Sequence, residues 1–116
     1  MAANEAIFYH GDPLMVDYTP GSACPGGQIN VIGDLPLPAH RDIAANEKGA
    51  LACGGGVYKI LANAAIAEGL KVYWDNAAKR VTVTASGNKV FGYVVPGGAS
   101  SGAGAIAIVW HQPEAA

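Results

Sequence analysis

Apolar residues in this chain arrive in short bursts, and where a period is visible it is two. Segment 80–84 (Arg-Val-Thr-Val-Thr) puts Val81 and Val83 on one side and Thr82 and Thr84 on the other, as a half-buried strand requires. Segment 28–32 alternates polar and apolar until its last step. Similar bursts at 14–18, 49–53, 57–61, 70–74, 89–95 and 105–110 read as strands, each bounded by glycine, proline, asparagine or aspartate. The connection 75–79 makes 70–74 and 80–84 a hairpin. Ile7, Phe8 and Tyr9 form an apolar knot without a period, followed by a turn at 10–13, which suits an extended arm or an edge strand. Leu35-Pro36-Leu37-Pro38 has two residues with no N–H to donate, so it reads as an edge or a loop. Residues 39–47 read as a polar, exposed connection. The one helical signal is 63–69, where Asn63 can cap the start and Gly69 can take the left-handed position at the end. The pattern predicts an all-β fold, a compact small β-barrel or sandwich of about eight short strands with one short helical turn. It divides the chain into an extended N-terminal arm (1–13), a single β domain (14–111) and a C-terminal tail (112–116).

Composition sharpens this picture. Of 116 residues, 51% are hydrophobic and only 14% charged, against about 25% charged in an ordinary domain. A monomer so poor in charge has difficulty covering itself, which points to assembly. Net charge is −2, and among the basic residues only Lys79 and Arg80 are adjacent. A nucleic-acid surface needs a basic stripe, so none is expected. No apolar stretch approaches the roughly 18 residues of a membrane-spanning helix, and residues 1–9 lack the charged-then-apolar order of a signal peptide. Cys24 and Cys53 are too few for a disulfide scaffold and read as reduced thiols.

Candidate chemistry is sparse. His10, His40 and His111 each sit in a connection or near the tail, and neither C-x-x-C nor H-x-x-x-H occurs. His40-Arg41-Asp42 are consecutive loop residues whose side chains diverge. Gly54-Gly55-Gly56 followed by Lys59 lacks the G-x-x-x-x-G-K-[ST] pattern of a phosphate loop. Asp75-Asn76 fits a hairpin turn better than a calcium loop. No catalytic residue, cofactor or metal is expected. Tyr73 and Trp74 face opposite sides of their strand, one for the core and one for the surface.

The 69–82 stretch, Gly-Leu-Lys-Val-Tyr-Trp-Asp-Asn-Ala-Ala-Lys-Arg-Val-Thr, resembles the G-D-x-V-Y-W-D-x-x-x-K-x-V-T run of a family of phage capsid cement (decoration) proteins, many once labelled phage recombinase. Segment 87–94 is similar to the family's G-N-x-x-I-G-x-A strand, 51–61 to its V-x-x-x-G-V-F-x-L strand and 31–34 to its V-V-G-x-L. Leu70 stands where the family has aspartate. The resemblance implies a β-rich, non-enzymatic module, commonly a homotrimer. Such a module is made in the host cytoplasm and seated on the outside of a tailed-phage head between subunits of the major capsid protein, where it stabilises the expanded shell. The implied partners are the capsid protein and further copies of the chain, with neither nucleic acid nor membrane. The candidate contacts are the arm (Ile7, Phe8, Tyr9) and the 35–42 loop (Leu35, Leu37, His40, Arg41). The alternatives are another virion part, such as a tail or fibre component, or a carbohydrate-binding β-module. The latter would set Tyr73, Trp74, Tyr93 or Trp110 on one exposed face.

Overall fold

Turn residues every few positions keep all strands between three and six residues long. The computed structural model describes residues 6–112, and among these there are ten strands and no helix. They are β1 (Ile7–Gly11), β2 (Met15–Tyr18), β3 (Ile29–Ile32), β4 (Leu35–Pro38), β5 (Gly49–Ala52), β6 (Gly56–Leu61), β7 (Lys71–Asp75), β8 (Arg80–Thr82), β9 (Lys89–Val94) and β10 (Ile106–His111). Residues 1–5 of the expected arm and 113–116 of the expected tail lie outside the described residues.

Six strands form one antiparallel sheet in the order β1-β6-β10-β9-β7-β8, and β2–β5 and β3–β4 form two-stranded ladders. The large sheet curls around the main core. β8, at one edge of the sheet, approaches β6, next to the other edge, where Ala62 just beyond β6 makes a single parallel bridge to Val81 of β8. One bridge is not a ladder, so the expected barrel is not closed. The count also exceeds eight, because 7–11 and 35–38 are both strands. Segment 7–11 takes the edge position beside β6. In β4 the prolines pair with Ile29 and Val31, while Leu37 pairs with Asn30. Residues two apart aim their backbone groups the same way, so both missing N–H groups fall on the side away from β3.

The helical turn expected at 63–69 is absent. The 96–104 loop takes the backbone groups a helix would have used internally. Ile66 donates its N–H to Ser100 Oγ (2.9 Å), Ser100 N–H donates to Ile66 O (3.1 Å), and Ser100 Oγ donates to Ala64 O (2.7 Å). Asn63 spends its side chain on Thr82 Oγ1 (3.0 Å) and caps nothing. A helix shorter than two turns has no nucleus of its own with which to resist this competition.

Trp74, Tyr58, Phe91, Ile60, Val72 and Val109 fill the main core. Tyr73 stays half-buried on the other side of β7, as its alternation with Trp74 requires. A β-bulge explains Phe91. Val72 faces Gly92 and Tyr73 faces Val90, which leaves Phe91 as the extra residue and turns its ring inward. Gly92 cannot be larger, since a Cβ there would lie 1.8 Å from the Trp110 carbonyl oxygen. A smaller core of Cys24, Leu37, Ala39, Ile43 and Leu51 lies under the 39–47 segment. That segment is mostly exposed, but Ala39 and Ile43 are buried anchors. Ile43 and Cys24 exchange two backbone hydrogen bonds of 2.8 Å, and Gly26 N–H donates to Asp42 Oδ1 at 2.7 Å. The loop that carries His40 and Arg41 is therefore held at both its ends.

Candidate functional site

β1 is an edge strand whose two faces do different things. Its inward side sets Phe8 on the ring of His40, with centroids 4.6 Å apart, and edge-on to Tyr58 at 5.6 Å. His40 Nε2 and the Tyr58 hydroxyl are hydrogen-bonded at 2.5 Å. Burial raises the Tyr58 phenol pKa and lowers that of the His40 imidazole, so both groups are held neutral. Tyr58 also meets His111 edge-on at 5.8 Å, and His111 stacks on Phe91 at 4.5 Å. A row of rings thus runs from the surface at Phe8 to the centre of the core.

His111, placed near a tail by the sequence, is fully buried at the end of β10. Its Nε2 lies 2.8 Å from Pro36 O. A carbonyl only accepts, so Nε2 carries the hydrogen and Nδ1 the lone pair. No described group bonds Nδ1. Burial, opposed by the Pro36 bond and helped by the nearby His40, lowers the His111 pKa from 6.5 to about 4.

Beside the Phe8–His40 contact lies an open groove of about 630 Å³. Phe8, Met15 and Ile43 give it apolar walls, and Asp12, Arg41 and Asp42 line it with charge. Of the seven candidate contact residues, Phe8, His40 and Arg41 meet here. Leu37 does not belong with them: it is 4% exposed and is spent on the smaller core, with Leu35 half-buried beside it. β4 buries Pro36, Leu37 and Pro38 alike, a consequence of 35–38 being a strand paired with β3 and not a surface loop. Sequence reading missed Met15, Tyr58, Phe91 and His111; the inward register of Tyr58 in 57–61 was the one available signal.

The outward side of β1 carries Ile7 and Tyr9, both exposed. The Lys59 ammonium sits 4.7 Å from the centre of the Tyr9 ring. Ile106, Ile108 and Trp110 of β10 continue this face, since Ile106 is paired with Leu61 and Ile108 with Lys59. Tyr93 and Trp110 lie with ring centroids 6.2 Å apart. Trp74 is in the core, so it is removed from the aromatic set a sugar-binding face would have used.

What the site offers is shape and apolar contact. Among the described residues no three His, Cys, Asp or Glu side chains converge as metal ligands, and Cys24 and Cys53 are free thiols. No described helix is long and apolar enough to cross a membrane. A family model described as a phage cement protein matches residues 9–109. No curated protein and no solved structure matches the chain.

Proposed function

This chain belongs to the phage cement protein family, and from that premise we propose that it decorates the outside of a tailed-phage head. In this reading it binds between subunits of the major capsid protein as a homotrimer and stabilises the expanded shell without catalysis. The observation that carries the proposal is the family match over 9–109, which spans nearly every strand.

The geometry supports the reading in two ways. The Phe8–His40–Arg41 groove offers apolar walls with charges beside them, suited to an apolar side chain presented by a capsid subunit. The exposed faces of β1, β2 and β10 give the additional contact area an assembled shell component needs. A shell under internal pressure strains its subunit contacts. A module bridging several subunits opposes that strain by contact alone, and many weak modules acting together raise the barrier to rupture. A site formed only after expansion would bind only the mature lattice.

The test is co-sedimentation of the purified protein with expanded shells of the matching major capsid protein. Saturable binding that raises the shells' melting temperature is expected. Absence of binding at micromolar protein would overturn the proposal and turn attention to tails and to sugars.

A further inference from the structure

Two uncovered apolar surfaces on this chain carry opposite charge. Strands β1, β6, β9 and β10 contain no aspartate or glutamate. On their outward face Ile7, Tyr9, Ile106 and Trp110 are each more than 40% exposed, and Lys59 stands among them. Ile7, Lys59, Leu61 and Ile106 line a shallow depression of about 260 Å³ there.

The second surface is the 12–18 segment, Asp-Pro-Leu-Met-Val-Asp-Tyr, which has two acids and no base. Leu14 is 65% exposed, the most exposed large apolar side chain described, and Met15 and Val16 beside it are exposed as well. Three consecutive exposed apolar residues mean that neither face of this stretch is covered, because successive strand side chains point opposite ways. β2 pairs only with β5, so its other edge is open. Asp17 does contact Lys48 at 3.2 Å, but both side chains are more than 70% exposed, and such a pair is weak and exchangeable.

We infer that the outward face of β1, β6 and β10 in one copy receives the 12–18 segment of the next copy, head to tail. This rests on the proposed homo-oligomer and adds which surfaces build it. Charge selects the arrangement. Face against face would bring Lys59 toward Lys59, and segment against segment would bring aspartate toward aspartate, whereas face against segment brings lysine to aspartate. A head-to-tail contact uses each surface once and stops growing only when the ring closes.

The test is sedimentation velocity on the full chain, on Ile106→Glu (face) and on Leu14→Lys (segment). Both side chains are exposed, so the fold does not depend on them, and far-ultraviolet circular dichroism checks this. The wild type is expected at one defined multiple of 11.8 kDa, with self-association of each variant weakened on the order of tenfold or more. Mixing the two variants is decisive. Each retains the surface the other has lost, so the mixture forms a one-to-one pair that grows no further. Lys59→Glu is expected to weaken self-association and a further Asp17→Lys to restore it. A mixture that stays monomeric, or variants that assemble like the wild type, would overturn the inference. A monomeric wild type that still sediments with shells would overturn this contact and leave the cement reading standing. A head-to-tail oligomer that ignores shells would do the reverse.

Discussion

Lowering the pH should destabilise this protein chiefly through one buried side chain, His111. His111 is fully buried, its Nε2–H is committed to Pro36 O, and its Nδ1 faces no described acceptor. A proton added at Nδ1 would be a buried charge with no partner among the described residues, between the rings of Phe91 and Tyr58 and toward His40. The folded pKa is about 4, against an ordinary 6.5 that the unfolded chain keeps. Between those values the unfolded chain binds the proton and the folded one does not. Stability from this group is therefore complete above pH 6.5, falls as pH drops toward 4, and is fully lost below it. A difference of about 2.5 pKa units at roughly 1.36 kcal/mol each gives about 3 kcal/mol. His40, also lowered by burial, adds a loss of the same sign. The assay is urea unfolding at several pH values from 7.5 to 3.5, for the wild type and for His111→Gln, whose amide nitrogen can still donate toward Pro36 O. Titrating carboxylates act on both proteins alike, so the difference between the two curves isolates His111. The wild type should lose about 3 kcal/mol more than the variant across pH 6.5 to 4. Parallel curves would refute the reasoning, as would an imidazole resonance for His111 titrating near 6.5.

Gly92→Ala puts a methyl 1.8 Å from a backbone oxygen on the neighbouring strand, so β9 and β10 must separate. Its thermal unfolding should show a cost at or above the upper end of the roughly 1–3 kcal/mol typical of overpacking, while Gly102→Ala, with open space around it, should be near neutral. Arg41→Glu changes an exposed groove residue and should leave the melting temperature within a degree or two, yet weaken co-sedimentation with shells by on the order of tenfold. Phe8→Ala should weaken co-sedimentation as well, with about 1 kcal/mol of stability lost from its contacts with His40 and Tyr58. Under native conditions a thiol reagent should modify half-buried Cys53 well before buried Cys24; equal rates would mean that the smaller core opens readily.

Much of the sheet was legible because its signal is local. Each of the eight segments read as strands overlaps one of the ten, and the 75–79 hairpin is where alternation placed it, with Ala77 and Ala78 N–H groups donating to Asp75 Oδ1 at 3.1 Å. What was not legible depends on residues far away in the chain. Segment 63–69 carries real helix signals, and only Ser100, 34 positions beyond Ile66, takes its backbone groups. Leu37 sits in a proline-punctuated stretch that suggests a surface, and only its pairing with Asn30 turns it inward. His111 has the composition of a tail residue; its burial follows from the Phe91 bulge and from a carbonyl 75 positions away. The groove is a similar case. Phe8 and His40 were chosen separately as contact candidates, but nothing local says that they touch.

That dependence bears on how contact and stability are joined here. Phe8 at the groove leans on His40, His40 is bonded to Tyr58, and Tyr58 packs on the same His111 that ties β10 to β4. A ligand that presses on Phe8 and His40 therefore presses on rings whose inner end is a fully buried core residue with no room to yield. A groove on a free loop would lose binding energy in ordering that loop, whereas this one is already ordered by the core. The same linkage has an opposite consequence: an acidic medium that charges His111 strikes the base of the contact site, so shell binding and fold stability should fail over the same span of pH. Measuring both on one preparation separates this from a simple surface effect. A purely peripheral site, lined by Asp12, Arg41 and Asp42, would lose binding alike in the wild type and in His111→Gln, whatever the state of the core. If binding falls with stability in the wild type and survives to lower pH in His111→Gln, the row of rings is the connection.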